Sequence, residues 1–341
     1  MPSNHVHVLI GRASAGENLQ QEEMAAAIDG IMRGQWSDAD VAMLLTALHH
    51  KGETVAEIAG AALALRRHMT PIRTTRADVV DTCGTGGDAS ATFNISTASA
   101  IVTAAAGAPV AKHGNRRVTS RTGSADVLEH LGVNIAADLP TVEACLEELG
   151  LCFCFAPLVH GSMKRVAEVR RQLGIRTIFN LLGPLTNPAG ARYQLLGVGR
   201  PELRPLLAEV LLRLGTHRAL VVCGEDGLDE VTIAGRTQAT ELRDGKLHER
   251  SFEPSDFDLD RSPLDALKVE GPEPSAVMIR EVLAGKAGPA RDIVVANSAA
   301  ALWVAEKADS PAAAARRAAA AIDSGAAREL LAKLIERTRQ N

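Results

Sequence analysis

The sequence predicts an α/β protein in two parts: a small all-helical domain over residues 1–74, then a larger domain over residues 75–341 whose mainly parallel central sheet is flanked by helices. Three observations predict it. Up to about Thr74 the apolar residues recur three and four positions apart between helix-capping signals. From Ala77 onward short apolar runs alternate with helical patterns, the signature of βαβ units and a parallel sheet. The 341 residues are 46% hydrophobic but only 3% aromatic, so the core is ample and must be built from Ala, Val, Leu and Ile.

In chain order, the residues before Gln20 are weakly patterned and are expected to be loosely held. Over residues 22–33, Met24, Ile28, Ile31 and Met32 form a helical stripe that Gly34 stops. Ser37 caps a second helix with Val41, Leu44, Leu45 and Leu48 on one face, ended by Gly52. Thr54 and Glu57 form a capping box for a third, striped by Ile58, Leu65 and Met69 and closed by Pro71. Residues 77–80 make the first strand, 98–106 an alanine-rich helix, 109–111 a strand and 124–131 a helix capped by Ser124. Val142, Cys145, Leu146 and Leu149 supply another helical face. Residues 152–156 make a strand whose alternation puts Cys152 and Cys154 on one face, in a core-packing role. Residues 163–174 form a basic helix, 219–222 a buried strand, and Asp244-Gly245 a hairpin turn. Residues 292–297 read as a last strand, and the alanine-rich segments beyond it as helices packed around the sheet.

Two loops carry the chemistry. After the first strand come Gly84-Thr85-Gly86-Gly87-Asp88, then Asn94-Ile95-Ser96-Thr97 opening a helix. Glycines allow positive φ and let a ligand approach bare N–H groups, and a helix N-terminus attracts anions. After the second strand come Lys112-His113-Gly114-Asn115-Arg116-Arg117, with Ser120, Thr122 and Ser124 downstream: cations, glycine and hydroxyls suited to a phosphorylated ligand. One such loop alone reads best as a turn, whereas two after consecutive strands indicate a ligand. Neither loop is a P-loop, since no GK[ST] follows, nor the dinucleotide fingerprint. Spacing therefore reaches a phosphate-bearing substrate and no further. The acids Glu225, Asp226, Asp229 and Glu230 close a strand, where they either form a solvated turn or hold a divalent metal.

Composition narrows the class. A net charge of -4 argues against broad nucleic-acid or membrane-surface binding. The five cysteines include no CxxC pair and no metal-ligand spacing. No apolar run is long enough to span a bilayer, and residues 1–13 lack a signal-peptide pattern, so a cytoplasmic enzyme is expected.

The segments GTGGD, FNIST, KHGNR and GSADVLEHLG, in that order, resemble the anthranilate phosphoribosyltransferase family, whose fold is shared with the pyrimidine nucleoside phosphorylases. The resemblance runs from the N-terminal helices through the IRTIFNLLGPLTNP segment at residues 175–188 to Asp226-Gly227-Leu228-Asp229-Glu230, and is general beyond about Thr240. It implies transfer of the 5-phosphoribosyl group of phosphoribosyl pyrophosphate to the amine of anthranilate, releasing pyrophosphate, a step of tryptophan biosynthesis. It also implies Mg²⁺ as cofactor, a homodimer through the helical domain, and a segment near residues 163–188 that returns to that domain.

Position by position, the resemblance implies that phosphoribosyl pyrophosphate is contacted by Gly84, Gly87, Asp88, Thr92, Asn94, Ile95, Ser96 and Thr97. The second loop and its surroundings would add Lys112, His113, Gly114, Asn115, Arg116, Arg117, Val118, Thr119, Ser120 and Ser124. Anthranilate would lie on Gly84, Asn115 and Arg170, with Arg170 pairing to its carboxylate, and Mg²⁺ on Ser96, Asp229 and Glu230. No general base is assigned, because an arylamine is neutral at pH 7, and His113 is expected to be structural. The chain departs from the family pattern at Arg117, Arg121, Gly161-Ser162 and Glu168. Two other readings compete. A pyrimidine nucleoside phosphorylase would not carry KHGNR and NLLGPLTNP, and a nucleic-acid-binding paralogue would be basic and without Asp229 and Glu230.

Overall fold

The computed structural model describes residues 3–86, 88, 90–116 and 123–340. Four helices come first: α1 (Ser3–Ser14), α2 (Gln21–Met32), α3 (Asp38–Lys51) and α4 (Val55–His68). Ser37 accepts from the Asp40 N–H and Thr54 from the Glu57 N–H, with Glu57 returning the bond as a capping box. The expectation of a loose start is corrected. Val6, Leu9, Ile10 and Ala13 are buried, so α1 carries an apolar stripe that His5, His7 and Arg12 obscure in the sequence.

The remaining elements alternate strand and helix: β1 (Val80–Gly84), α5 (Ile95–Ala105), β2 (Val110–Gly114), α6 (Ser124–Leu131), α7 (Leu139–Ala144), β3 (Leu151–Phe155), α8 (Ala156–Val159), α9 (Lys164–Leu173), α10 (Phe179–Leu182), β4 (Tyr193–Gly197), α11 (Leu203–Arg213) and β5 (Arg218–Gly224). A hairpin, β6 (Thr237–Arg243) and β7 (Lys246–Phe252), turns at Asp244 and Gly245, both at positive φ. Helices α12 (Pro272–Leu283), α13 (Pro289–Val304), α14 (Pro311–Asp323) and α15 (Ala326–Arg339) complete the chain. The strand expected at residues 292–297 is instead the middle of α13: a helix buried on all sides has the same unbroken apolar run as a buried strand. Strand β4 has no counterpart among the sequence expectations. Ser124 is the first residue of α6 rather than its cap, which is Gly123.

Among the described residues the sheet has seven strands in the order β3-β2-β1-β4-β5-β6-β7. The first five are parallel, and β6 and β7 join antiparallel. The chain steps outward from β1 to β3, then returns to the other side of β1. The β1/β4 boundary is therefore the switch point beyond whose carboxyl ends an open α/β sheet binds ligand.

Alternating side chains divide the two cores. Leu195, Leu220 and Val222 face a core shared with α5 and α13. Leu196, Ala219, Val221 and Cys223 face a second core that runs without a break through α11 and the segment from Val166 to Leu185 into α1–α4. Cys152 and Cys154 share a strand face, with their sulfurs 3.8 Å apart.

Candidate functional site

The site forms at the carboxyl ends of β1 and β4. A Cβ on Gly84 would lie 2.6 Å from Asp229 Oδ2, and one on Gly197 would strike the Asp229 carbonyl, so the acidic turn needs both glycines to reach the sheet edge. Gly86, at φ +67°, donates its N–H to Asp229 Oδ2 at 3.0 Å. Asn94 caps α5, accepting from the Thr97 N–H at 3.1 Å. The next free N–H, of Ser96, is spent on the Glu230 carboxylate. Lys112, only 4% exposed at the heart of β2, donates from Nζ to the Thr82 carbonyl at 2.8 Å and to Ser96 Oγ at 3.0 Å.

These contacts crowd three carboxyl groups, Asp88, Asp229 and Glu230, against one ammonium. Burial, then repulsion from Asp88, raises Asp229 to about 7. Burial and Asp229 push Glu230 well above the usual carboxylate range, and burial lowers Lys112. Asp229 and Glu230 ionise together only if further positive charge arrives, and oxygen donors of this kind suit Mg²⁺. The hydroxyls of Thr85 and Thr97 are also buried here without a hydrogen-bond partner among the described residues. The donor set thus fits a hard divalent cation beside an oxygen-rich ligand.

The second loop supplies less to this cluster. Asn115 accepts at its carbonyl from the Ala125 N–H and the Ser124 hydroxyl, tying the loop to α6. Arg116 is exposed and paired with Asp126 and Glu129 of α6, its guanidinium over the Phe155 ring. His113 is buried and lowered to about 3 by burial and by His160, which is itself lowered to about 4 by burial. The His113 ring bonds the Gly183 carbonyl through Nδ1 at 3.0 Å and His160 through Nε2 at 3.2 Å, which joins β2 to the segment before β4.

Across from the sheet, α9 carries Arg170 and Arg171. Arg171 is 77% exposed and paired with Glu168. Arg170 is half-buried over the Phe179 ring, 5.4 Å from its centre, with no acidic partner among the described residues. Arg176, further along the same segment, donates to the Gly86 carbonyl at 3.4 Å and so reaches the first loop.

The structure brings together Gly84, Asp88, Ser96, Thr97, Lys112, Asp229 and Glu230, with Asn94 and Ile95 opening α5. Thr92 pairs with Lys268 just before α5, and Asn115, Arg116 and Ser124 lie at the rim beside Gly114. Gly87, Arg117, Val118, Thr119 and Ser120 lie outside the described residues. Sequence reasoning missed Asn297, whose buried amide accepts from the Val231 N–H and donates to the Val231 and Ile293 carbonyls. It fixes the residue next to Glu230 from α13, the helix misread as a strand.

Comparison with known proteins agrees with this architecture. A family model described as the glycosyl transferase family a/b domain matches residues 76–328, and one described as the helical bundle domain of that family matches residues 8–69. Anthranilate phosphoribosyltransferase of Pelotomaculum thermopropionicum is 49% identical over 96% of this chain and 95% of its own. That of Moorella thermoacetica is 50% identical over 96% of each chain. Among solved structures, anthranilate phosphoribosyltransferase from Thermus thermophilus superposes with a TM-score of 0.92 at 43% identity, covering 97% of this chain and 99% of that one. The Saccharomyces cerevisiae enzyme in complex with PRPP and Mg gives 0.90 at 28% identity, covering 99% of each.

Proposed function

Since the chain belongs to the glycosyl transferase family matched by both models, and within it to the anthranilate phosphoribosyltransferases, we propose how its residues carry out that reaction. The enzyme transfers the 5-phosphoribosyl group from phosphoribosyl pyrophosphate to the amine of anthranilate, releasing pyrophosphate. The observation that carries the assignment of roles is the carboxylate cluster of Asp88, Asp229 and Glu230 set against Ser96 and Lys112 at the sheet's switch point.

The first loop and the start of α5, from Gly84 to Thr97, hold the diphosphate, with Lys112, Asn115, Arg116 and Ser124 completing the phosphate and ribose contacts. Gly87 and the stretch from Arg117 to Ser120 belong to the same proposal. Ser96, Asp229 and Glu230 would hold Mg²⁺, a cofactor supported by the Mg in the yeast structures and by the donor set. Bound there, Mg²⁺ would neutralise the charge that grows on pyrophosphate as the C1–O bond breaks.

Arg170 receives the anthranilate carboxylate beside Gly84 and Asn115. Its guanidinium is already positioned over Phe179 and needs an anion. The arylamine attacks without prior deprotonation, and His113 supplies no base: its ring is engaged at both nitrogens and stays neutral. Positioning and electrostatic stabilisation do the work.

The functional unit we propose is a homodimer. Val8 is exposed on α1, and Met43, exposed on α3, lines a groove of about 720 Å³ together with apolar side chains such as Ile10, Ala13 and Ala42. No helix among the described residues is long and apolar enough to cross a membrane, and a cytoplasmic reaction accords with this reading. The deciding assay is loss of anthranilate fluorescence with phosphoribosyl pyrophosphate and Mg²⁺ together. Consumption needing both is expected, and none under any combination would overturn the reading.

A further inference from the structure

A second feature lies at the opposite end of the same two strands. Asp81 and Gln194 are partners in register near the starts of β1 and β4, three residues short of the glycines that contact the acidic turn. Beside them is a cavity of about 130 Å³ between the end of α4, the segment before β4 and the turn after α11. Arg66 enters it from α4 and Arg192 from the loop leading into β4, with Asn187 and Thr216 also on its wall.

The charges there do not balance. Arg66 donates from Nε to the Leu185 carbonyl at 2.9 Å, and among the described residues neither Arg66 nor Arg192 has an acidic partner within ion-pair distance. Asp81 does not serve them: its carboxylate accepts from the His113 N–H at 3.3 Å and from the Asn187 amide, with the Cys83 thiol at 3.5 Å. Gln194 is likewise spent, donating to the Pro184 carbonyl at 2.6 Å. Arg66 is therefore a half-buried cation, lowered from its ordinary value by burial, and facing open volume. A partly desolvated charge with no counter-charge is unfavourable and is normally met by a counter-ion. Arg170 is in the same condition, the only other arginine held below its ordinary value among the described residues, and its proposed partner is a substrate carboxylate.

We infer that this cavity is a binding site for a small oxyanion, a carboxylate or a phosphate-type ion, held by Arg66 inside and Arg192 at its mouth. The planar guanidinium of Arg66 offers paired donors to two oxygens of one ligand, and the volume admits a ligand of only a few heavy atoms. It is separate from the substrate cleft, because Asp81 and Gln194 stand between the cavity and the carboxyl ends of the strands.

The test is calorimetric titration of inorganic phosphate, and in a second arm acetate, into enzyme saturated with Mg²⁺ and pyrophosphate so that the substrate cradle is filled. Saturable binding of at least one of the two is expected, with sodium chloride giving none. Binding by phosphate alone identifies a tetrahedral ligand, and binding by acetate a carboxylate. Arg66→Gln should weaken it roughly 30-fold or more, a loss of the size seen when one partner of a buried charge pair is removed. Arg192→Gln should weaken it less, and pyrophosphate binding should be unchanged in both. Should Arg66→Gln fail to fold, Arg192→Gln with an unaltered isotherm still overturns the site. So does the absence of saturable binding to the wild type, an equal response to chloride, or an unaltered isotherm in a folded Arg66→Gln.

Discussion

The backbone N–H of Gly86 donates to Oδ2 of Asp229 at 3.0 Å, closing the first glycine loop onto an acidic turn 143 residues away. The bond holds Asp229 beside Asp88 and Glu230, where its carboxyl is raised to about 7. A raised carboxyl adds stability below its ordinary range, and that stability is lost as pH rises through the folded value. Above about pH 7 the metal-free cluster therefore strains the fold. Asp229→Asn with Glu230→Gln should raise the metal-free melting temperature at pH 8 by a few degrees, for about 1–2 kcal/mol of relief. The same variant should lose Mg²⁺-dependent turnover. Retention of most activity would remove these two residues from the metal site.

The pair on α9 separates the two substrates. Arg170 has no acidic partner among the described residues and is packed on Phe179, whereas Arg171 is exposed and bound to Glu168. Arg170→Ala should lower kcat/KM for anthranilate by roughly 30- to 1,000-fold, or about 2–4 kcal/mol, with affinity for phosphoribosyl pyrophosphate within a few-fold. Arg171→Ala should do little. A large defect in Arg171→Ala instead would place the carboxylate on the other face of α9.

His113 and His160 make an acid-sensitive joint. Both are held below the ordinary histidine value, at about 3 and about 4, so the unfolded chain binds their protons more readily. Stability from keeping them neutral is full above about pH 6.5 and is lost as pH falls toward those values. Urea denaturation of the wild type and His160→Asn at pH 7 and pH 4.5 should show the gap between them narrowing on acidification. A constant gap would mean that the pair does not titrate on unfolding.

The helical faces of α1 and α3 set the last expectation. Val8→Asp with Met43→Asp places two charges on the exposed apolar surface. Sedimentation at micromolar concentration should give a dimer for the wild type and a monomer for the variant. A wild-type monomer with full activity would refute the assembly.

Much of this was readable in advance, for definable reasons. Glycines after short apolar runs marked the ends of β1 and β2, since tight turns at a ligand site leave few other residue choices. Helical stripes marked α2, α3 and α4, with Ser37 as a cap for α3 and a capping box for α4. Helix α13 was misread because burial on all sides erases the amphipathic period, and with it went Asn297, whose use depends on where that helix lies. Asp88 was visible as a loop acid, but no local pattern shows that it meets Asp229 across the sheet edge. That Arg66 has no acidic partner among the described residues is likewise a property of distant neighbours, in a helix whose own spacing is ordinary.

The second core runs from α1–α4 through α9, α10 and α11 onto one face of β4 and β5. A cut near residue 74 that looks clean along the chain therefore severs a single body of packed side chains. Expressed alone, the first 74 residues would present Leu44, Leu45, Ile58 and Leu65 without the partners that now cover that body, and should aggregate. A chimera that borrows this unit from a relative should fold only if the graft also carries residues 164–213. The transplantable module is defined by the packed interior, and its pieces are discontinuous along the chain.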